Sequence, residues 1–98
     1  MTTCLIVDNA DETKEQFERV MAHLGESGPI PPAGARLLVA GPAEGSWRVI
    51  SVWDSPEAMQ RFFGERLAPA YGKAGLSLDG ASRATFEVHT VVQSGAAA

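Results

Sequence analysis

Apolar and polar positions along the chain follow two periods that switch at turn-forming residues. The first run, Thr3-Cys4-Leu5-Ile6-Val7, is β-prone and continuously apolar, and it stops at Asp8-Asn9. A strand with one buried face alternates, so an unbroken run predicts a strand covered on both faces. Phe17, Val20, Met21 and Leu24 then recur at helical spacing and form one stripe, with Lys14, Glu15, Glu18 and Arg19 on the wet side. Thr13-Lys14-Glu15-Gln16 has the pattern of a capping box, with Asp11 as the competing cap. Gly25 is placed to end this helix in a left-handed conformation.

Pro29, Pro31 and Pro32, with Gly28 and Gly34, predict a rigid loop too short to be a domain linker. A second strand is expected over Arg36–Ala40. Gly41 to Gly45 reads as a hairpin connection longer than the two-residue type. The third strand, Trp47–Trp53, presents Trp47, Val49, Ser51 and Trp53 on one face and Arg48, Ile50 and Val52 on the other. Asp54-Ser55-Pro56-Glu57 opens a helix, with Ser55 as cap, Pro56 in the first turn and Glu57 at the positive end of the dipole. Met59, Phe62, Phe63 and Leu67 are its buried stripe. Gly64 weakens its middle, and Pro69 predicts a bend or restart, with Ala68 to Lys73 as a second helical piece. A loop over Gly75–Arg83 leads to a last strand expected at Thr85–Val92. Residues 1–93 thus read as one domain and 94–98 as a disordered tail.

The order βαββαβ predicts an α+β, ferredoxin-like domain: a four-stranded antiparallel sheet with two helices on one face. The other face is left bare although the first and third strands are apolar on both sides. An apolar face of that size calls for a cover, and the simplest is the same face of a second copy. The expected assembly is a homodimer, a dimeric α/β barrel.

Composition narrows the partners. A chain of 98 residues buries a modest share of its surface, so its stability alone is thin. The net charge is −4 and no basic cluster is visible, which argues against nucleic acid and against an anionic membrane surface. No segment approaches the roughly 18 apolar residues of a membrane span, and no signal-peptide pattern is read. Cys4 is the single cysteine and suits a reducing compartment, so the expected location is the cytoplasm. Its apolar surroundings mark Cys4 as a small core residue rather than a reactive thiol.

One set of residues carries a family likeness: Ala40-Gly41-Pro42, Gly45, Trp47-Arg48-Val49-Ile50, Val52-Trp53-Asp54-Ser55, Phe62 or Phe63, Glu65-Arg66-Leu67-Ala68-Pro69-Ala70, and Glu87-Val88-His89. Over nearly its whole length the chain resembles the dimeric α/β-barrel proteins that include the antibiotic-biosynthesis-monooxygenase group, above all its small bacterial members. The resemblance implies a pocket between helices and sheet in each subunit. It also implies a range of activities: cofactor-free oxygenases of aromatic polyketides, cyclases, isomerases, haem-degrading enzymes and non-enzymes. The haem-degrading members resemble one another through an Asn, a Trp and a His on the second helix. Asn9 and Trp53 stand in for the first two, but the second helix has no His, so the haem ligand is missing.

His89, with Glu87 two residues away, is the leading candidate base, because a carboxylate beside an imidazole raises and orients it. The ordinary alternative is a hydrogen-bonded histidine at the sheet or dimer face. Tyr71, Arg66 and Glu65 cluster at the Pro69 break, where Tyr71 can donate a proton and Arg66 can pair with a ligand carboxylate or simply with a surface acid. Trp53 can wall a pocket or pack a core. His23 reads as a surface or capping residue. Asp8 and Asn9 are ordinary turn residues in which a ligand role for Asn9 is open. No Cys/His cluster has metal-ligand spacing, and no glycine-rich phosphate loop or nucleophile elbow is present.

Two functions are therefore carried forward. The first is a cofactor-independent monooxygenase, cyclase or isomerase acting on a small apolar or aromatic, polyketide-like metabolite. In it, His89, Glu87 and Tyr71 are catalytic, and Asn9, Trp53, Phe62, Phe63 and Arg66 contact substrate; neither metal nor cofactor takes part. The second is a non-catalytic dimer that binds a small ligand or serves an accessory role.

Overall fold

The structure is a computed structural model that describes residues 1–92. Gln93 and the expected tail 94–98 lie outside the described residues. The elements are β1 (Thr3–Ala10), α1 (Lys14–Ser27), β2 (Ala35–Ala43), β3 (Ser46–Trp53), α2 (Pro56–Phe62), a π-helical turn (Phe63–Leu67), α3 (Ala68–Lys73) and β4 (Ser82–Glu87). The sheet order is β2-β3-β1-β4, and every neighbouring pair is antiparallel. This is the ferredoxin-like βαββαβ topology, with α2, the π-turn and α3 together forming the second helical segment.

Local chemistry sets the helix starts. Thr13 Oγ1 accepts from the Gln16 N–H at 3.2 Å while Gln16 Oε1 accepts from the Thr13 N–H at 2.9 Å, which completes the capping box. Ser55 Oγ accepts from the Ala58 N–H at 3.2 Å ahead of α2. The end of α1 departs from expectation: the helix runs through Gly25 to Ser27. Its free end is satisfied from elsewhere in the chain. Arg66 donates through Nη2 to the Leu24 carbonyl at 2.8 Å, through Nη1 to the Pro29 carbonyl at 2.9 Å and through Nε to Ser27 Oγ at 3.1 Å.

Two strand boundaries also differ. The β2–β3 turn is the two-residue Glu44-Gly45, shorter than expected, with Gly45 at φ 73°. β2 therefore absorbs Gly41 and Pro42, and as an edge strand it tolerates the proline. β4 spans Ser82–Glu87 rather than Thr85–Val92 because, among the described residues, its only partner is β1. Their pairing runs from Ser82 opposite Asp8 to Glu87 opposite Thr3. Beyond it, the Val88 N–H reaches the Thr2 carbonyl at 2.8 Å, and the ladder stops there.

Alternation sorts the side chains as the pattern predicts. Leu5, Val7 and Asn9 of β1 face the helices together with Val49, Ser51 and Trp53 of β3. Val20, Leu24, Phe62 and Tyr71 close the core from above. The opposite face carries Cys4, Ile6, Ile50 and Val52, and beside them Leu37, Val39 and Phe86 are 43%, 50% and 54% exposed. A single copy leaves these large apolar groups in water. Arg48 and Asp8 form an ion pair on this face at 2.7 Å. Among the described residues no helix is long and apolar enough to cross a membrane.

Candidate functional site

Between sheet and helices lies an apolar cavity of about 40 Å³. Leu5, Val7 and Val49 form its floor, and Val20, Leu24, Phe62 and Leu67 form its roof. Trp53 stands in its wall and is 1% exposed. The Trp53 indole N–H donates to Ser51 Oγ at 2.8 Å, and its ring packs on Phe62 with centroids 5.2 Å apart. Both polar groups in that part of the wall are thus satisfied by each other.

A polar cluster adjoins this cavity where β1 ends. Asn9, the last helix-facing residue of β1, is buried. The turn after it places Asp11 in the left-handed region, at φ 65°, and brings the Glu12 N–H to 3.4 Å from the Asn9 carbonyl. Asp tolerates that conformation better than most residues, and the reversal folds the Glu12 side chain back over the strand end. Asn9 Nδ2 donates to Glu12 Oε1 at 3.0 Å and to Tyr71 Oη at 3.0 Å. A carboxylate only accepts, which fixes the orientation of the Asn9 amide.

Among the described residues Tyr71 is the one shared by the cavity lining and this cluster. Burial is the main reason its phenol is held far above its ordinary pKa, and the neighbouring Glu12 carboxylate adds to the shift. Burial also raises Glu12, and hydrogen bonding from Tyr71 and Asn9 offsets only part of that. Two buried polar atoms here have no partner among the described residues: Glu12 Oε2 and Trp47 Nε1. Trp47 is the cross-strand partner of Asn9 and packs on Phe17 at 5.3 Å. A shallow groove bounded by Asn9, Glu12, Gln16 and Leu76 connects the cluster to solvent.

The structure thus brings together Tyr71, Asn9, Trp53 and Phe62. It does not bring the other expected residues to them. His89 lies beyond the end of β4, exposed, with Nδ1 2.6 Å from Thr90 Oγ1. Glu87 is the exposed last residue of β4, and neither residue lines the cavity. The strand expected to carry both as a pair ends before His89 because β1 ends. Phe63 lies outside the cavity, under the Arg83 guanidinium. Arg66 is occupied in capping α1, 5.6 Å from the Phe62 ring. Glu12 is the residue that sequence reasoning missed. Asp11-Glu12-Thr13 reads as solvated turn and cap, and only the long-range approach of Tyr71 gives Glu12 buried company.

No family model matches the chain, and no curated protein is similar to it in sequence. Solved structures do match. A Caulobacter crescentus protein described as a candidate antibiotic biosynthesis monooxygenase superposes with TM-score 0.69 at 14% identity, covering 91% of each chain. A dimeric ferredoxin-like protein of unknown function from Thermobifida fusca gives TM-score 0.62 at 16% identity, covering 90% of this chain and 92% of that one. The chain shares their fold. SnoaB, a cofactor-independent oxygenase from Streptomyces nogalater solved in a mutant form, gives TM-score 0.59 at 15% identity, covering 95% of this chain and 97% of SnoaB. Among the described residues no histidine lines the cavity, so the histidine through which the haem-degrading members of this fold resemble one another is missing here.

Proposed function

We propose that the chain is a cofactor-independent enzyme of the monooxygenase, cyclase or isomerase type, acting in the cytoplasm on a small aromatic or polyketide-like metabolite held between sheet and helices. The observation that carries this reading is Tyr71, which belongs at once to an apolar cavity wall and to a buried Asn9–Glu12 cluster. The step common to the three reaction types is removal of a proton to leave an enolate or phenolate. Asn9 donates to Tyr71 Oη and so makes the phenol a stronger donor toward such an anion. Glu12 lies outside the cavity lining, so the proton reaches it by relay: Tyr71 Oη takes the substrate proton as it passes its own to Glu12, and the groove beside Gln16 and Leu76 passes the proton on to water. His89 and Glu87 have no part in this scheme. The cavity is small for an aromatic ring, so binding requires its roof to move. Leu67 belongs both to that roof and to the π-turn, an irregularity of the kind common at functional sites.

The small volume supports a second reading, a non-catalytic dimer that binds a small ligand. A thermal-shift screen against phenols and aromatic polyketides, followed by product analysis of each stabilising compound, separates the two. The enzyme reading expects turnover that Tyr71→Phe and Glu12→Gln each reduce at least about a hundredfold. Stabilisation without turnover supports the second reading, and no stabilisation by any compound overturns both.

The dimer is part of the proposal. The open face of the sheet, centred on Val39, Ile50 and Phe86, is the surface offered to a second copy. Sedimentation velocity at micromolar concentration should show a dimer that Val39→Lys dissociates. A monomer in the unmodified protein would refute this pairing.

A further inference from the structure

A second cleft lies on the helix side of the sheet, beyond α2 and over β4. Leu5 and Thr85, side by side across the β1–β4 pairing, form its floor. Met59, Phe63 and Gly64 form the helical wall, and Arg83 stands at the rim. About 410 Å³ is open here, roughly ten times the volume of the core cavity and within the range of small-molecule sites. The two spaces share only Leu5.

The charge in this cleft is one-sided. Among the described residues no acid lines it, and Arg83 makes no ion pair with any of them. Its guanidinium carbon instead lies over the Phe63 ring, 4.8 Å from the centroid. This cation–π contact uses no carbonyl or carboxylate acceptor, so the guanidinium N–H groups stay free to donate. Gly64 opens the wall next to it: a Cβ there would meet nothing within 4 Å. In a chain of net charge −4, an unpaired cation held in place over an apolar trough is a specific feature.

We propose that this cleft binds an aromatic or alkyl carboxylate, with the carboxylate on the Arg83 edge and the apolar body against Phe63, Met59 and Leu5. A guanidinium edge matches a carboxylate in paired, bidentate geometry. The presence of one cation selects a monoanion, since a phosphate monoester would bring a second charge with nothing to meet it. The apolar floor and wall select a ligand with a hydrophobic body over a small hydrophilic acid.

Titration of ¹⁵N-labelled protein with 2-naphthoate, and separately with the neutral 2-naphthamide, tests this through amide shifts. Naphthoate should shift Gly64, Thr85 and their neighbours and saturate, with naphthamide at least about fivefold weaker. Arg83→Gln should weaken naphthoate at least about fivefold and leave naphthamide unchanged, and Arg83→Lys should fall between. Gly64→Leu should weaken both ligands by filling the cleft, which keeps the test decisive if the Arg83 variants fail to fold. Equal affinity for the two ligands overturns the proposal. So does naphthoate binding to Arg83→Gln within about twofold of wild type, or a shift pattern centred on Val20 and Ser51 of the core cavity.

Discussion

Tyr71→Phe removes one oxygen from the centre of the buried cluster and nothing else. Tyr71 is 4% exposed, and its Oη is one of two acceptors for Asn9 Nδ2. After the substitution Asn9 keeps its bond to Glu12 Oε1, but its second N–H points at a ring edge. A buried donor without a partner costs about 1–3 kcal/mol, and relief of the hydroxyl's own burial offsets part of that. The expected loss is about 1–2 kcal/mol, which in a domain of this size lowers the midpoint of thermal unfolding by about 4–16 °C. Urea unfolding followed by the fluorescence of Trp47 and Trp53 measures it, at one fixed protein concentration so that any association is held constant. A double-mutant cycle with Asn9→Ala then isolates the bond: the two losses should fall short of additive by about 1 kcal/mol. A Tyr71→Phe protein as stable as the parent, or a strictly additive cycle, would show that the Asn9–Tyr71 bond contributes nothing and would remove the basis of the proposed site.

Three further outcomes follow from the same geometry. Tyr71 is the only tyrosine, so alkaline titration of its absorbance reports on one group: no tyrosinate should form near its ordinary pKa of 10.0, and stability should fall as pH rises above that value, because the unfolded chain gives up this proton first. Glu12 is also raised, so its folded form holds a proton to higher pH than the unfolded chain; the parent should lose stability relative to Glu12→Gln as pH rises above the ordinary 4.5, and the difference between the two should level off below it. Arg66→Met should lower stability by about 1–2 kcal/mol and speed amide exchange at the C-terminal end of α1, since Ser27 Oγ and the Pro29 carbonyl lose this donor and the Leu24 carbonyl keeps only Ser27 Oγ; unchanged exchange at Ser27 would argue that water caps this helix as well as Arg66 does.

Local chemistry makes much of this fold legible in the sequence. The Thr13 and Ser55 caps, the restart at Ala68 and the two apolar faces of β1 and β3 all depend on residues within a few positions of one another, or on strict alternation. What escaped was set by distant partners. The end of α1 depends on an arginine some forty residues away, and the end of β4 depends on where β1 begins. Val88 to Val92 is as β-prone as any segment of the chain, but propensity cannot supply the missing neighbour. The candidate site divides in the same way. Tyr71, Asn9, Trp53 and Phe62 were readable as groups that want burial or a partner. Glu12 was not, because an acid in a turn has a solvated role by default and only the α3–β1 approach makes it otherwise. His89 and Glu87 pair only if the strand runs on past Glu87, where β4 stops.

The π-turn sets the phase of everything that follows it in the second helical segment. The Ala68 N–H reaches back five residues, to the Phe63 carbonyl, and so a single extra residue is accommodated within the helix. Phe62, Leu67 and Tyr71 all line the cavity at spacings of five and then four. In an uninterrupted α-helix each residue advances about 100°, so removing one residue from this turn would rotate Tyr71 by about that angle away from Asn9 while leaving the sheet and its order intact. One codon therefore separates a chain with a buried phenol–amide–carboxylate arrangement from a chain of the same architecture without it. Length variation at this point offers a way for the scaffold to gain or shed a site with no change of topology.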